Sequence, residues 1–467
     1  METTVDVAII GAGTAGLNAM GQVRRAGKSF VLINGGELGT TCARVGCMPS
    51  KAVIQVAEDF HRRQLFERMG MEGHEGLGLD VPETLEYVRD LRDIFVDRVL
   101  SGSTDELEDE LIEGYAEFLE PNLLKVGDET VRAGKIVIAT GSRPIVPEAW
   151  RRFGDKILTS DEIFEQDDLP KSMAVIGLGV IGLELGQSLR RMGVKITGID
   201  RLQTIGGIQD PAAAECAIEL FGKEFPLWLG APAELGEDGD QIRVTAGERS
   251  LSVDKVLVSL GRTPNLHRLG LERLGIAFDD HGVPLHDPRT MQIGDLPIFI
   301  AGDVTGVRPI LHEAGDEGRI AGYNASHDPV TAFRRKTPLA INFCDPNIAF
   351  VGAGWNELQE RSIAVGEMRL GPVGRAVIMG KNKGLLRVYA DQASGALLGA
   401  TLVSPKAEHL GHLLAWAIQQ DLTVVDLLRM PFYHPAIEEA LQAALYNLYA
   451  NVDAKAEGLL ELQREDV

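Results

Sequence analysis

Two cysteines, Cys42 and Cys47, stand five positions apart in the stretch GTTCARVGCMPSK, with Gly46 and Pro49 beside them. A thiol pair this close could make and break a disulfide, carrying two electrons and accepting attack from an external thiolate. In an ideal helix five residues rise roughly 7.5 Å, which sets the two Cα atoms about 8.6 Å apart. That exceeds the roughly 7 Å a disulfide can span. A bridge therefore needs a distorted turn, which Gly46 permits. The other reading of the pair is two ordinary buried thiols. Arg44 lies between them and is expected to be solvated; its alternative roles are to lower a thiol pKa or to attract an anionic substrate. Cys216 and Cys344 are isolated and read as small core residues.

A second chemistry lies in two glycine turns. Residues 5–10, VDVAII, form an apolar run followed by Gly11, Gly13 and Gly16, a helical pattern to Arg25, and a second apolar run over 29–33. The order recurs at 173–176, with Gly177, Gly179 and Gly182, a helix, and a strand over 194–199. The two units are 166 residues apart and form an internal repeat. Strand, glycine turn, helix and strand make a dinucleotide-binding unit. The glycines let backbone approach a pyrophosphate, and the helix N-terminus offers partial positive charge. Asp200 stands 23 residues beyond Gly177, where a carboxylate holds ribose hydroxyls and repels a 2′-phosphate. This favours NAD over NADP, although Arg201 is adjacent. The equivalent residue of the first unit is Asn34, whose amide also hydrogen-bonds hydroxyls. Glu37 is a second candidate for that task.

The elements around these residues suggest an α/β protein. A length of 467 residues suits about three domains. The region from Gln55 to about Glu110 reads as a pair of surface helices. Strands are expected at 135–141, 256–260 and 298–301. From about Lys336, runs such as LAINF, IAFVG and LLRVYAD suggest an antiparallel sheet, followed by helices over 408–420, 423–430 and 437–448. The net charge of −22 sets nucleic acid and anionic membranes aside as partners. The first residues show no signal-peptide pattern, and no run of 18 apolar residues occurs, so a cytoplasmic location is expected.

With these motifs in order, the chain resembles the flavin-dependent pyridine-nucleotide disulfide oxidoreductases from Asp6 to about Leu448. The resemblance implies two Rossmann-like domains, for FAD and NAD, and a C-terminal α+β dimerisation domain. The expected spans are 1–148 and 268–335 for the FAD-binding and central parts, 149–267 for NAD, and 336–467 for the dimer interface. It implies a redox-active disulfide in which Cys42 exchanges with substrate and Cys47 faces the flavin. Lys51 and Glu184 match an ion pair near the flavin. His434, followed by Pro435 and with Glu439 five positions on, matches a catalytic base that reaches the disulfide of the other subunit of a homodimer. For FAD the resemblance implies Gly11, Gly13, Gly16, Asn34, Thr41, Lys51, Gly114, Ala116, Thr140, Gly141, Ser142 and Asp303. For NAD it implies Gly177, Gly179, Ile181, Gly182, Asp200, Gly261 and Arg262. His312 is read as structural.

Among the family's branches the chain is most like the dihydrolipoamide dehydrogenases. The last cysteine is Cys344, so the C-terminal cysteine pair of mercuric reductases is absent. Asp200 argues against the NADPH-using glutathione reductases, and the cysteine pair argues against the soluble transhydrogenases. The implied reaction is oxidation of protein-bound dihydrolipoamide, on the lipoyl domain of a 2-oxoacid dehydrogenase complex or a glycine cleavage system. Thr41, Arg44, Asn34 and Ala436 depart from the usual pattern, so an NAD(P)H-dependent reductase of another small disulfide is the alternative. A flavoprotein scaffold with a vestigial thiol pair is the reading from another class.

Overall fold

A strand that is apolar on both faces must be covered on both sides, and the first apolar run meets that condition at once. Val7 to Ile10 are all buried within the strand Glu2–Ile10 of a computed structural model that describes residues 2–463 and residue 465. Residues 1, 464, 466 and 467, at the ends of the first and last expected domains, lie outside the described residues.

Glu2–Ile10 pairs in parallel with Phe30–Asn34 on one side and Glu129–Ile138 on the other. Leu111–Glu113 extends the first edge, and Ile298–Ile300, arriving from much later in the chain, adds in parallel to Glu129–Ile138. Ala116–Glu120 and Leu123–Val126 complete the sheet as antiparallel strands. The helices Thr14–Arg25 and Leu311–Ser326 pack together on it. A Cβ at Gly318 would lie 2.2 Å from the Ala15 carbonyl oxygen, so only glycine allows this helix–helix approach.

The second sheet repeats the plan. Its order is Leu227–Leu229, Lys195–Asp200, Ser172–Ile176, Lys255–Val258 and Ile157–Leu158, all parallel. A three-stranded antiparallel meander over residues 233–253 covers part of it. The ribbon Ser142–Pro144 with Arg262–Pro264 marks where the chain leaves and re-enters the first unit.

The third sheet is antiparallel: Leu339–Asn342, Asn347–Gly352, Leu397–Ser404, Leu385–Asp391 and Ile363–Arg369. Helices Ala407–Gln419 and Glu438–Asn451 pack their apolar faces onto it. The expected surface helices are Cys47–Arg62 and Val81–Ser101, with short 3₁₀ turns between them.

Asp210 fastens the second unit to the third. It is fully buried, caps the helix Pro211–Phe221 through the Ala212 and Ala213 amides, and accepts from Arg387 Nε and the Tyr389 hydroxyl, both at 2.7 Å. Removing this carboxylate strands a largely buried guanidinium. Asp210→Ala is expected to lower stability by about 3–5 kcal/mol, measured as the loss in urea-unfolding free energy against wild type.

Candidate active site

The stretch between the cysteines is not one helix. A short helix, Thr41–Arg44, ends at Val45, and a new helix, Cys47–Arg62, begins after Gly46. A Cβ at Gly46 would come 2.9 Å from the Thr41 carbonyl oxygen and 3.2 Å from Cys42 Cα. The absence of a side chain at Gly46 therefore lets the two turns close on each other. Both cysteines are half-buried free thiols, and their side chains hydrogen-bond each other.

That contact divides the pair. The hydrogen bond from Cys42 draws the Cys47 thiol down to about 7, and the Lys51 charge also lowers it, against the effect of burial. Cys47 opens a helix, where the unpaired amides add to the stabilisation of a thiolate. The same hydrogen bond, together with burial, pushes Cys42 far up. Cys216 and Cys344 are buried, as the sequence suggests, and burial raises both.

Lys51 lies one turn along from Cys47, and its Nζ donates to Glu184 Oε2 at 2.9 Å. Glu184 is buried in the helix Val180–Arg191, and its Oε1 accepts from the Phe343 amide at 2.7 Å. The Phe343 ring lies 4.8 Å from Lys51 Nζ. The sequence reading missed Phe343. It sits inside an ordinary apolar run, and its contact partners lie 159 residues or more before it.

The two glycine turns have matching geometry. Gly11 has φ +109° and Gly177 +93°, and a Cβ on either would strike the next parallel strand's end, at Ala139 and Ser259. A Cβ at Gly16 or Gly182 would lie within 2 Å of the Gly11 or Gly177 carbonyl oxygen. Gly13 and Gly179, at the helix starts, have nothing within 4 Å of a Cβ position. The concavities face open space at amides suited to phosphate, so both turns fit a dinucleotide.

The strand-end residues brace these turns. Asn34 Oδ1 accepts from the Ala12 amide at 3.2 Å, and its Nδ2 donates to the Gly36 carbonyl. Asp200 accepts from the Leu178 amide at 2.6 Å and the Leu202 amide at 2.8 Å. Gly114 has φ +150°, and its amide donates to the Asn34 carbonyl just before Ala116 opens a strand. Thr140 Oγ1 donates to the Asn265 carbonyl, with Gly141 at φ +67° beside it. Ser142 Oγ donates to Asp303 at 3.0 Å. Glu317, buried and pushed up by that burial, accepts from the Gly302 amide and so fixes the turn before Asp303. Thr41 begins the short helix, and Ile181 packs partly buried against the second unit's core.

One expectation needs correction. Arg44 is not free in solvent: it forms an ion pair with Glu37, is partly covered, and burial lowers its pKa. Glu37 is the carboxylate of that pair and stays largely exposed. Separately, Arg262, next to Gly261, donates to the hydroxyl and carbonyl of Ser142, both at 2.8 Å, at the junction between the first two units. A cation in an acidic protein finds a local carboxylate or carbonyl, and sequence spacing does not reveal which one. His312 is exposed near the start of its helix.

His434 pairs with Glu439, Nδ1 to Oε1 at 2.8 Å, and the other carboxylate oxygen accepts from the Ala436 amide. The hydrogen bond to His434 holds the Glu439 carboxyl below its usual range. The His434 side chain is 81 % exposed, and among the described residues no hydrogen bond or ion pair joins it to either cysteine. Trp416, Met430 and Tyr433 are exposed on the same C-terminal unit. Arg429 Nε and Glu408 Oε2 there are buried without a hydrogen-bond partner among the described residues.

This combination of two glycine-turn units, a thiol pair and an antiparallel third unit defines a flavoprotein disulfide oxidoreductase. Residues 5–318 match the family described as pyridine nucleotide-disulphide oxidoreductase, and residues 339–445 match its dimerisation domain. The chain belongs to this family, and its cofactors are FAD and NAD. It is 32% identical to the dihydrolipoyl dehydrogenase of Haloferax volcanii over 95% of this chain and 96% of that one. The dihydrolipoyl dehydrogenase of Thermus scotoductus is 30% identical over 96% and 98%. Among solved structures, the HOCl-induced flavoprotein disulfide reductase RclA of Escherichia coli superposes with a TM-score of 0.83 at 23% identity, over 95% of this chain and 99% of that one. LpdA of Mycobacterium tuberculosis gives 0.82 at 24% identity, over 96% and 99%. The dimerisation domain supports a homodimer. No helix among the described residues is long and apolar enough to cross a membrane.

The thiol geometry makes a direct prediction. Alkylation of the reduced protein at Cys47 should rise with pH through about 7. In Lys51→Met the lost cation should move that midpoint upward, read from the pH profile of iodoacetamide labelling by mass spectrometry.

Proposed function

We propose that this protein oxidises protein-bound dihydrolipoamide to lipoamide and reduces NAD⁺. The observation that carries the reading is the polarised thiol pair, with Cys47 lowered beside Lys51 and Cys42 raised. The relatives named dihydrolipoyl dehydrogenase support the substrate.

In the proposed cycle Cys42 and Cys47 begin as a disulfide. His434 of the partner subunit takes a proton from one substrate thiol, and the resulting thiolate attacks Cys42 Sγ. The Cys42–Cys47 bond breaks, and Cys47 leaves as a thiolate stabilised by Lys51 and its helix N-terminus. The second substrate thiol, deprotonated in turn, attacks the substrate sulfur of the mixed disulfide. This forms the lipoamide ring and releases Cys42, which takes a proton. The first glycine turn with Asn34, Thr140–Ser142 and Asp303 would hold FAD, which would supply two-electron transfer chemistry beside the thiols. Glu184 keeps Lys51 beside Cys47. Glu439 holds the His434 ring in one tautomer and stabilises the imidazolium. Asp200 selects NAD by its charge.

A second reading, reduction of another small disulfide, is favoured by the Arg44–Glu37 ion pair in the stretch around the cysteines. That pair changes the charge that a substrate meets there.

NADH absorbance from dihydrolipoamide with NAD⁺, run beside NADP⁺, tests the reading. Fast turnover with NAD⁺ alone is expected; turnover only with other disulfides and NADH or NADPH would replace the substrate assignment. His434→Gln is expected to lower kcat by about 10²–10⁴-fold. Subunits of His434→Gln and Cys42→Ser, unfolded and refolded together, should regain about a quarter of wild-type activity, because a mixed dimer contains one intact site. No recovery on mixing would place the histidine in its own subunit's site.

A further inference from the structure

The protein carries strong negative charge overall, yet one of its cavities is walled by cations. A space of about 520 Å³ is lined by Arg63, Arg190, Arg191, Lys223, Lys381 and Lys383, with Glu224 and Asp345 as its only carboxylates among the described residues. It lies where all three units meet: the end of the Cys47–Arg62 helix, the ends of Val180–Arg191 and Pro211–Phe221, and the segments around Asp345 and Lys381. Arg191 absorbs both carboxylates, bonding Glu224 through Nε and Nη2 and Asp345 through Nη1. Lys381 shares Asp345 and also reaches Glu58. Lys223 pairs with Glu219, outside the cavity wall. Among the described residues Arg63 and Arg190 donate only to backbone carbonyls, of Leu77 and Glu224. Lys383 has no ion-pair partner among the described residues.

Cations in a helix's last turn offset its dipole, which accounts for Arg190 and Arg191. It does not account for Lys381 and Lys383, which follow a different element, or for their convergence on one concave space. His61 also lines it, and burial and the Arg191 charge lower its pKa, the response of an imidazole in a positive environment. The volume falls in the range of small-molecule sites. The Phe60 ring, stacked under the Arg63 guanidinium at 3.4 Å, supplies an aromatic wall. The cavity lies at the C-terminal end of Val180–Arg191, while the second glycine turn lies at its N-terminal end, roughly 18 Å away for 12 residues. It is therefore separate from the NAD site.

We propose that this three-unit junction is a binding site for a small polyphosphate anion. The probes are pyrophosphate, tripolyphosphate and ADP, titrated calorimetrically into FAD-loaded enzyme saturated with NAD⁺, so that both glycine turns are filled. One site per chain is expected, weakening as salt rises. Lys383→Glu, a change at an exposed unpaired side chain, and the pair Arg63→Gln with Lys383→Gln should each weaken binding about tenfold or more. Flavin content and melting temperature of the variants confirm folding. ADP binding tighter than pyrophosphate assigns the ligand as a nucleotide using the Phe60 wall, and equal binding assigns an inorganic polyphosphate. No saturable binding at physiological salt, or affinity unchanged in folded Lys383→Glu, would overturn the proposal.

Discussion

The buried Glu184 carboxylate is the constraint on which the active site depends. One oxygen receives the ammonium of Lys51 and the other the amide of Phe343. Those three residues come from the thiol-bearing helix, the second glycine-turn unit and the antiparallel unit. A buried charge must be paired and hydrogen-bonded to be tolerated. The requirement is met only when all three parts of the chain are assembled, so the cation beside Cys47 is a product of the whole fold. The Lys51 ammonium in turn adds to the lowering of Cys47 that its hydrogen bond with Cys42 begins.

The repeat extends from pattern to atoms. Gly11 and Gly177 adopt the same positive-φ turn against the next strand, and Gly13 and Gly179 leave the same opening at a helix start. One solution to the problem of bringing backbone to a pyrophosphate has been used twice. The units differ at the strand end, where a neutral amide stands in one and a carboxylate in the other.

Much of this was legible in the sequence because it is local. Glycines at fixed offsets, short apolar runs and a His–Pro with an acid five positions on each report a structure within a few residues of themselves. The Cys47–Lys51 turn and the His434–Glu439 pair fall in that class. What escaped is non-local. Phe343 touches Glu184 across 159 residues, and Arg262 finds Ser142 across 120. The Asp210 contact with Tyr389 spans 179. Arg44 and Glu37 are only seven apart, but a cation's choice between water and a flexible carboxylate leaves no periodic trace.

The bracing of the glycine turns bears on the thermodynamics of cofactor capture. Asn34 Oδ1 and Asp200 Oδ2 already hold the Ala12 and Leu178 amides, so each loop is set in its receiving shape by the protein's own hydrogen bonds. A carboxylate oxygen has two lone pairs, so the Asp200 oxygens retain capacity for a sugar hydroxyl while bracing the backbone. The entropy of ordering these loops is lost during folding, when the sheet forms. A nucleotide arriving later meets a preorganised surface, and more of its contact energy is retained as affinity.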